Sequence, residues 1–402
     1  MIARHLTSKL LDSALKYPVL SLTGPRQSGK TTLVRTVFAD YDYVSLESPD
    51  HRAFALEDPR GFLGQFAGKV ILDEVQRTPE LFSYIQTLVD NEDRPGRFVL
   101  TGSHNFLLME KISQTLAGRS AILHLLPFSR SELVGRPPMA IDRIGTIAKA
   151  DASDADGATG KVFDLLHRGF YPRIHDKHLD SREWLSNYCQ TYLERDVREI
   201  VEVGDLNAFS RFLRLCAGRS GQLLNMASLA ADAGISHSTA RRWLSILEAS
   251  FIVYLLRPHH ANFNKRLVKS PKLYFYDTGL LCFLLRIRSA EELLIHSARG
   301  AVFETWAISE ILKNYYHCGK EPEVYFWRDS SGQEIDLLIE CGQLLLPVEI
   351  KSGETVADDF FLTLDLWRRL PGQDKTPAAL VYAGEGTYLR NNVAVYSWRD
   401  WG

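Results

Sequence analysis

The sequence predicts an α/β protein in three parts: a parallel-sheet domain over residues 1–140, a helical connector with a winged helix over 161–285, and a second α/β domain over 290–402. Three observations predict it. Short apolar runs alternate with amphipathic stretches through about residue 135, the pattern of a parallel sheet covered by helices. A tract of Ala, Gly, Asp, Ser and Thr from Gly145 to Gly160 has little to bury and reads as an exposed linker. Beyond Ala290 a long helical pattern precedes apolar strands that carry charges inside them.

A chain of 402 residues fits two or three domains, at roughly 150 residues each. With 47 Lys and Arg against 49 Asp and Glu the formal charge is −2, so a nucleic-acid partner needs a local basic patch rather than bulk charge. No apolar run approaches the ~20 residues of a membrane helix. The segment Met1–Lys16 lacks the apolar core of a secretory signal, and a cytoplasmic chain with no membrane partner is expected. Cys189, Cys216, Cys282, Cys318 and Cys341 form no CxxC pair and read as free thiols.

The first strand, Val19–Thr23, runs into Gly24, Pro25, Arg26, Gln27, Ser28, Gly29, Lys30 and Thr31, a match to GxxxxGK[ST], and then into a helix from Thr32 to Phe38. Glycines let backbone N–H groups curl around phosphate oxygens, and the helix N-terminus behind Thr32 adds partial positive charge. Lys30 is placed to reach the β and γ phosphates and Thr31 to ligate magnesium. After the strand Tyr43–Leu46, the run Val70–Leu72 ends in Asp73 and Glu74. Asp73 is the candidate for the magnesium shell and Glu74 for polarising the attacking water. The strand Phe98–Thr101 ends in Gly102, Ser103, His104 and Asn105, where Ser103 or Asn105 would sense a γ-phosphate. Asn264-Lys265-Arg266-Leu267 lacks the Asp of a guanine-reading NKxD motif, so ATP is preferred to GTP.

Residues 1 to about 135 resemble the AAA-type P-loop ATPases of the additional-strand class. The combination GPRQSGKTT, LDEVQ, TGSHNF and LAGRS resembles the prokaryotic family that fuses such an ATPase to a C-terminal domain of unknown function. The resemblance implies ATP hydrolysis through Lys30, Thr31, Asp73 and Glu74. It also implies that Arg119 of LAGRS acts on the nucleotide, a structural salt bridge being the other reading of that arginine.

From Val162 to about Ala217 the pattern is helical, with Tyr188, Tyr192 and Leu193 in an apolar stripe beside Arg195, Asp196 and Arg198. A helix over Met226–Ala233, a turn at Gly234, a second helix capped by Ser236 or Ser238, and a β-rich run at Phe251–Leu256 predict a helix-turn-helix with a wing. Arg241, Arg242, Arg257, Lys265, Arg266, Lys269 and Lys272 cluster here against the single acid Glu248. A helix so charged near its start can enter a DNA major groove while the hairpin holds phosphates. Trp243, Leu244, Ile246 and Leu247 are core on any reading, including one in which the module only joins two domains.

In the last part, Glu304 lies on the helix Arg299–Asn314, Asp336 within the strand Glu334–Glu340, and Glu349 and Lys351 at the end of Leu344–Lys351, after a strand at Glu323–Trp327. Charges on such strands are costly unless they have partners or work to do. Glu-x-Lys places both side chains on one strand face, where a hairpin can bring Asp336 beside them. Asp336 and Glu349 would then hold magnesium or manganese, and Lys351 would act on water or phosphate. This pattern resembles the PD-(D/E)XK, restriction-endonuclease-like nucleases, with Ile335 in place of the usual proline; that resemblance supplies Glu304 as the helix acid. The expectation is an ATPase that couples nucleotide state to DNA binding and metal-dependent phosphodiester cleavage. The alternatives are a nucleotide-switched DNA-binding regulator whose nuclease-like domain is silent, and an NTPase scaffold for a protein partner. Oligomeric state is left open.

Overall fold

A computed structural model describes residues 2–402 except 93, 103–113, 146–160, 194–205, 260–268, 343, 371, 374 and 375, with the side chains of 192 and 193 also left out. Ser103, Asn105, Arg195, Asp196, Arg198, Lys265, Arg266 and nearly all of the Gly145–Gly160 tract therefore lie outside the described residues. By its contacts the chain divides into two compact units. The first comprises residues 1–128 with 249–252 and 315–320; the second takes in the rest.

The first unit is built on an all-parallel sheet of β1 (Val19–Thr23), β2 (Asp42–Ser45), β3 (Val70–Asp73), β4 (Phe98–Gly102) and β5 (Ser120–His124), in the order β2-β3-β4-β1-β5. The strands alternate faces with period two. Val19, Val70, Leu72, Phe98 and Leu100 enter one core, and Leu20, Leu22, Ile71 and Val99 enter the other. Helices α1 (Leu6–Ala14) and α2 (Lys30–Val37) place Leu6, Leu10, Leu33 and Val34 in the second core, while α3 (Leu81–Asn91) places Leu81, Phe82 and Ile85 in the first. Each fully buried side chain of this kind stabilises the unit by about 1.5–3 kcal/mol. β4 lies between β1 and β3, which is the additional strand of the resemblance.

In the second unit, α4 (Ser181–Tyr188), α5 (Leu206–Ala217), α6 (Met226–Ala233) and α7 (His237–Ala249) precede the antiparallel pair β6 (Val253–Leu256) and β7 (Lys272–Phe275). Asn225 caps α6 by accepting from the Ser228 N–H at 3.0 Å, and Gly234 ends it with φ +70°. Ser236, rather than Ser238, caps α7 by accepting from the Thr239 N–H at 3.1 Å. Trp243 is buried edge-on against Phe209 and Phe212 at 5.3 and 5.5 Å, and Leu244, Ile246 and Leu247 are buried beside it, as expected of core.

Helix α8 (Thr278–Leu284) and the long α9 (Arg299–His317) lead into a mixed sheet of β8 (Val324–Arg328), β9 (Glu334–Cys341), β10 (Leu344–Lys351), β11 (Ala379–Tyr382), β12 (Tyr388–Arg390) and β13 (Val393–Ser397). The order is β12-β13-β11-β10-β9-β8. β8, β9 and β10 are antiparallel neighbours, while β10 pairs parallel with β11. Trp327 and Trp367 meet edge to face at 5.5 Å in the core of this sheet, and the Trp401 indole N–H donates to the Ala307 carbonyl at 2.8 Å, fastening the chain end to α9.

Candidate functional site

The loop after β1 has the geometry that its glycines require. Gly24 sits at φ +147°, where a Cβ would collide with the Leu125 carbonyl, and Gly29 at φ +92° turns the chain into α2. The Lys30 ammonium is buried and donates to the carbonyls of Gly24 and Pro25 at 2.9 and 2.8 Å, folded back across the loop. The Ser28 hydroxyl is buried with no hydrogen-bond partner. An orphaned donor inside a ring of backbone amides at a helix N-terminus fits a phosphate-bearing ligand. Arg26 and Gln27 complete the loop at intermediate burial, Gln27 at φ +63°, and Thr32 is exposed.

Asp73 comes to this loop from the end of β3. Its Oδ2 accepts from the Thr31 hydroxyl at 2.9 Å and from the Tyr43 hydroxyl at 2.8 Å, and its Oδ1 accepts from the Thr101 hydroxyl. Burial pushes the Tyr43 phenol up to about 12, with the Asp73 charge adding to the effect. A carboxylate with one face on Thr31 suits a magnesium shell. Glu74 follows in the left-handed region at φ +57°, and its carboxylate accepts from the Gln76 amide. Tyr43 and Thr101 had no sequence signal of their own; only the sheet order, with β2 and β4 flanking β3, brings them to Asp73. Arg4 was equally invisible. It donates to the carbonyls of Ser28 at 2.9 Å and Leu126 at 2.6 Å with its guanidinium 4.7 Å from the Phe128 ring centre, bracing the loop from behind.

Arg119 immediately precedes β5, and its carbonyl accepts from the Val19 N–H at the start of β1, whereas the phosphate loop follows the far end of that strand. Five strand residues separate the two ends, about 13–17 Å. Its guanidinium donates to both oxygens of Asp90, the salt bridge that was the other reading of this arginine.

On the C-terminal sheet, the β9–β10 register that pairs Leu337 with Val348 brings Asp336 beside Glu349. Asp336 Oδ2 accepts from the Ile350 N–H at 2.9 Å and lies 3.5 Å from the Lys351 ammonium, which is 2.6 Å from Glu349 Oε2. The other Glu349 oxygen is buried without a partner, and burial, reinforced by Asp336, holds its carboxyl well above the ordinary range. An orphaned carboxylate oxygen next to a second carboxylate fits a hard divalent cation. Among the described residues, however, no three His, Cys, Asp or Glu converge as a metal cluster.

Glu304, the helix acid that the resemblance supplies, lies on α9. It accepts from the Lys272 ammonium at 3.2 Å and from the Tyr274 hydroxyl. Burial, with the Asp336 charge, pushes its carboxyl up to about 7. Lys272 also pairs with Glu334 and is only 2% exposed, so it is not part of a basic surface as the charge count suggested. Burial opposes its charge, but Glu304, Asp336 and Glu334 together outweigh that and hold the ammonium's pKa up. Arg241 and Arg242, by contrast, are exposed on α7 with no ion-pair partner among the described residues.

Sheet order, phosphate loop and the Thr31–Asp73 pair together define an AAA-type ATPase domain, and the AAA-domain family profile matches residues 16–134. Two domains of unknown function follow, DUF8612 at 159–291 and DUF4143 at 299–401. The uncharacterised proteins Rv2008c of Mycobacterium tuberculosis and Mb2031c of Mycobacterium bovis are each 30% identical over 393 residues, covering 98% of this chain and 82% of theirs. The chain belongs to the family of these two proteins. Among solved structures, the Walker-type ATPase PABY2304 of Pyrococcus abyssi is 16% identical with a TM-score of 0.43, over 71% of this chain and 96% of that one. The RuvB Holliday junction branch migration motor of Thermotoga maritima is 18% identical with a TM-score of 0.29, over 63% and 88%. No helix among the described residues is long and apolar enough to cross a membrane.

Proposed function

We propose that the chain hydrolyses ATP at the loop Gly24–Thr31 and uses nucleotide state to control DNA bound through α7 and cut at the C-terminal sheet. The observation that carries the reading is Thr31 and Asp73 joined at 2.9 Å beside a buried Lys30. When bound, magnesium would supply charge neutralisation for phosphoryl transfer. Thr31 and Asp73 would hold it, with Tyr43 and Thr101 fixing the carboxylate. Lys30 would leave the Gly24 and Pro25 carbonyls for phosphate oxygens, and the Ser28 hydroxyl would gain the partner it lacks. Glu74, released from Gln76, would orient the attacking water. Ser103 and Asn105 keep the sensor role as a proposal from sequence alone.

For DNA, the support is the helix–turn–helix of α6 and α7 with the β6–β7 wing, and two unpartnered arginines on α7. At the C-terminal sheet, Asp336 and Glu349 would hold a magnesium or manganese ion, and Lys351 would act on water and the scissile phosphate. Glu304 is there a positioning residue, tied to Lys272 and Tyr274. The experiment is incubation of the purified chain with DNA, magnesium or manganese, with and without ATP. Cleavage that requires metal and disappears in Asp336→Asn supports the full reading. DNA binding without cleavage leaves the nucleotide-switched regulator.

A further inference from the structure

A concavity of about 440 Å³ in the second unit lies away from both sites described above. Its walls come from three elements. α4 supplies Arg182 and, one turn on, Ser186; α5 supplies Ser210 and, one turn on, Arg214; the turn after α8 supplies Arg286 and Arg288. Among the described residues that line it none is acidic. Among the described residues none of the four guanidinium groups has a carboxylate partner, although Arg219, Arg119 and Arg390 elsewhere are paired with Asp232, Asp90 and Asp358. Asp180 and Glu183 line only the shallower hollow beside it, which shares Arg182, Ser186 and Phe283. Four like charges around one cavity repel one another unless an anion enters.

The backbone adds a second observation. Arg286 has φ +61°, the left-handed conformation that helix C-termini normally give to glycine. The turn is held by the Arg286 N–H on the Phe283 carbonyl at 3.0 Å and the Ile287 N–H on the Cys282 carbonyl at 3.0 Å. A long cationic side chain at that position costs backbone strain, of order 1–3 kcal/mol, and its return is a guanidinium delivered to the rim of the cavity. The lining also has an apolar part, with Leu213 and Ile287 buried and the aromatic Phe283 half-buried.

We infer that this cavity binds a nucleotidyl unit, its phosphate on Arg182, Arg214, Arg286 and Arg288 and its base against Phe283. Guanidinium forks match phosphate oxygens bidentately, which an ammonium cannot do, and a base stacks on an aromatic face in any sequence. The volume is at the lower end of small-ligand sites and accommodates one such unit. The unit could come from a free nucleotide or from a nucleic-acid strand; in the second case the inference deepens the DNA reading given above.

The test uses the full chain carrying Lys30→Ala, so that the phosphate loop does not compete, with two probes: thymidine monophosphate by calorimetry and fluorescent oligothymidylate by anisotropy. Arg182→Glu with Arg286→Glu should weaken whichever probe binds by at least about tenfold, consistent with loss of charge-assisted hydrogen bonds. Phe283→Ala should weaken it about fivefold, while Arg94→Glu on the exposed surface of the first unit changes nothing. Unaltered circular dichroism and unfolding midpoint keep the comparison valid; if the double reversal is misfolded, Arg182→Gln with Arg286→Gln replaces it. Saturable binding of the monophosphate assigns a free nucleotide, and binding of the oligonucleotide alone assigns a strand. Undiminished affinity for both probes in the folded double variant, or no binding of either probe by the parent, overturns the inference. If oligonucleotide binding is lost in Arg241→Ala with Arg242→Ala but not in the cavity variants, the DNA reading survives and this one does not.

Discussion

The Thr31 hydroxyl donates to Asp73 Oδ2 at 2.9 Å, joining residues from the phosphate loop and from the end of β3. The bond exists because β4, between β1 and β3, sets the two loops at the same edge of a parallel sheet. Asp73 is further fixed by Tyr43 and Thr101, so three hydroxyls converge on one buried carboxylate.

Tyr43→Phe removes one of those three donors without changing ring volume. A hydrogen bond to a charged acceptor contributes about 1.5–3 kcal/mol, so the variant should unfold more easily by about that amount and turn over ATP several-fold more slowly. Urea denaturation and phosphate release check the two halves. An unchanged stability and rate would mean that Tyr43 does not position Asp73.

Arg241→Ala with Arg242→Ala should weaken DNA binding and reduce the slope of log affinity against log salt by about 1–2 units, since each lost phosphate contact contributes about 0.9. Lys272→Ala should leave that slope unchanged because the ammonium is buried between Glu304 and Glu334. Instead it should destabilise the chain by about 3–5 kcal/mol, the cost of uncompensated buried charge. Binding titrations over a range of salt, with denaturation of the same variants, separate these outcomes.

At the C-terminal sheet, Asp336→Asn and Glu349→Gln should each abolish metal-dependent cleavage, because a hard cation held by so few carboxylates loses most of its site with one of them. Lys351→Ala should lose cleavage yet retain manganese, measured by electron paramagnetic resonance. Cleavage by Asp336→Asn at the wild-type rate would remove the sheet from the chemistry.

His175 gives the pH dependence. Burial lowers its pKa below the ordinary 6.5, although its Nε2 lies 2.8 Å from the Gly169 carbonyl, which works the other way. A depressed folded-state value means that the unfolded chain binds the proton more readily, so stability from this group is present above pH 6.5 and lost as pH falls through the lowered value. His175→Gln should flatten the decline in unfolding free energy as pH falls below 6.5. Parallel acid-limb denaturation curves for wild type and variant would contradict this.

The loop Gly24–Thr31 and the acids Asp73 and Glu74 were legible in the sequence because their spacing and flanking apolar runs are local. So were β9, β10 and the Asp336–Glu349–Lys351 alignment, which follow from period-two alternation and a hairpin register. What was not legible depends on distant pairing. β5 is a short, half-polar strand, Ser-Ala-Ile-Leu-His, that only its parallel partner β1 makes a strand. Tyr43 and Thr101 reach Asp73 through sheet order, and Arg4 reaches the loop only by contacts distant in sequence. Lys272 looked like a member of a basic surface until β7 carried it to Glu304 and Glu334.

The account rests most directly on ATP hydrolysis at Lys30, Thr31, Asp73 and Glu74, and one measurement addresses it: steady-state phosphate release from magnesium ATP by wild type, Lys30→Ala and Glu74→Gln, with nucleotide binding measured in parallel. Wild type should turn over, and both variants should lose at least about 100-fold, the usual consequence of removing one group that stabilises or prepares the transition state. Glu74→Gln should still bind ATP, because it lacks only the base, and Lys30→Ala should bind it poorly. Equal phosphate release by all three proteins would contradict the account.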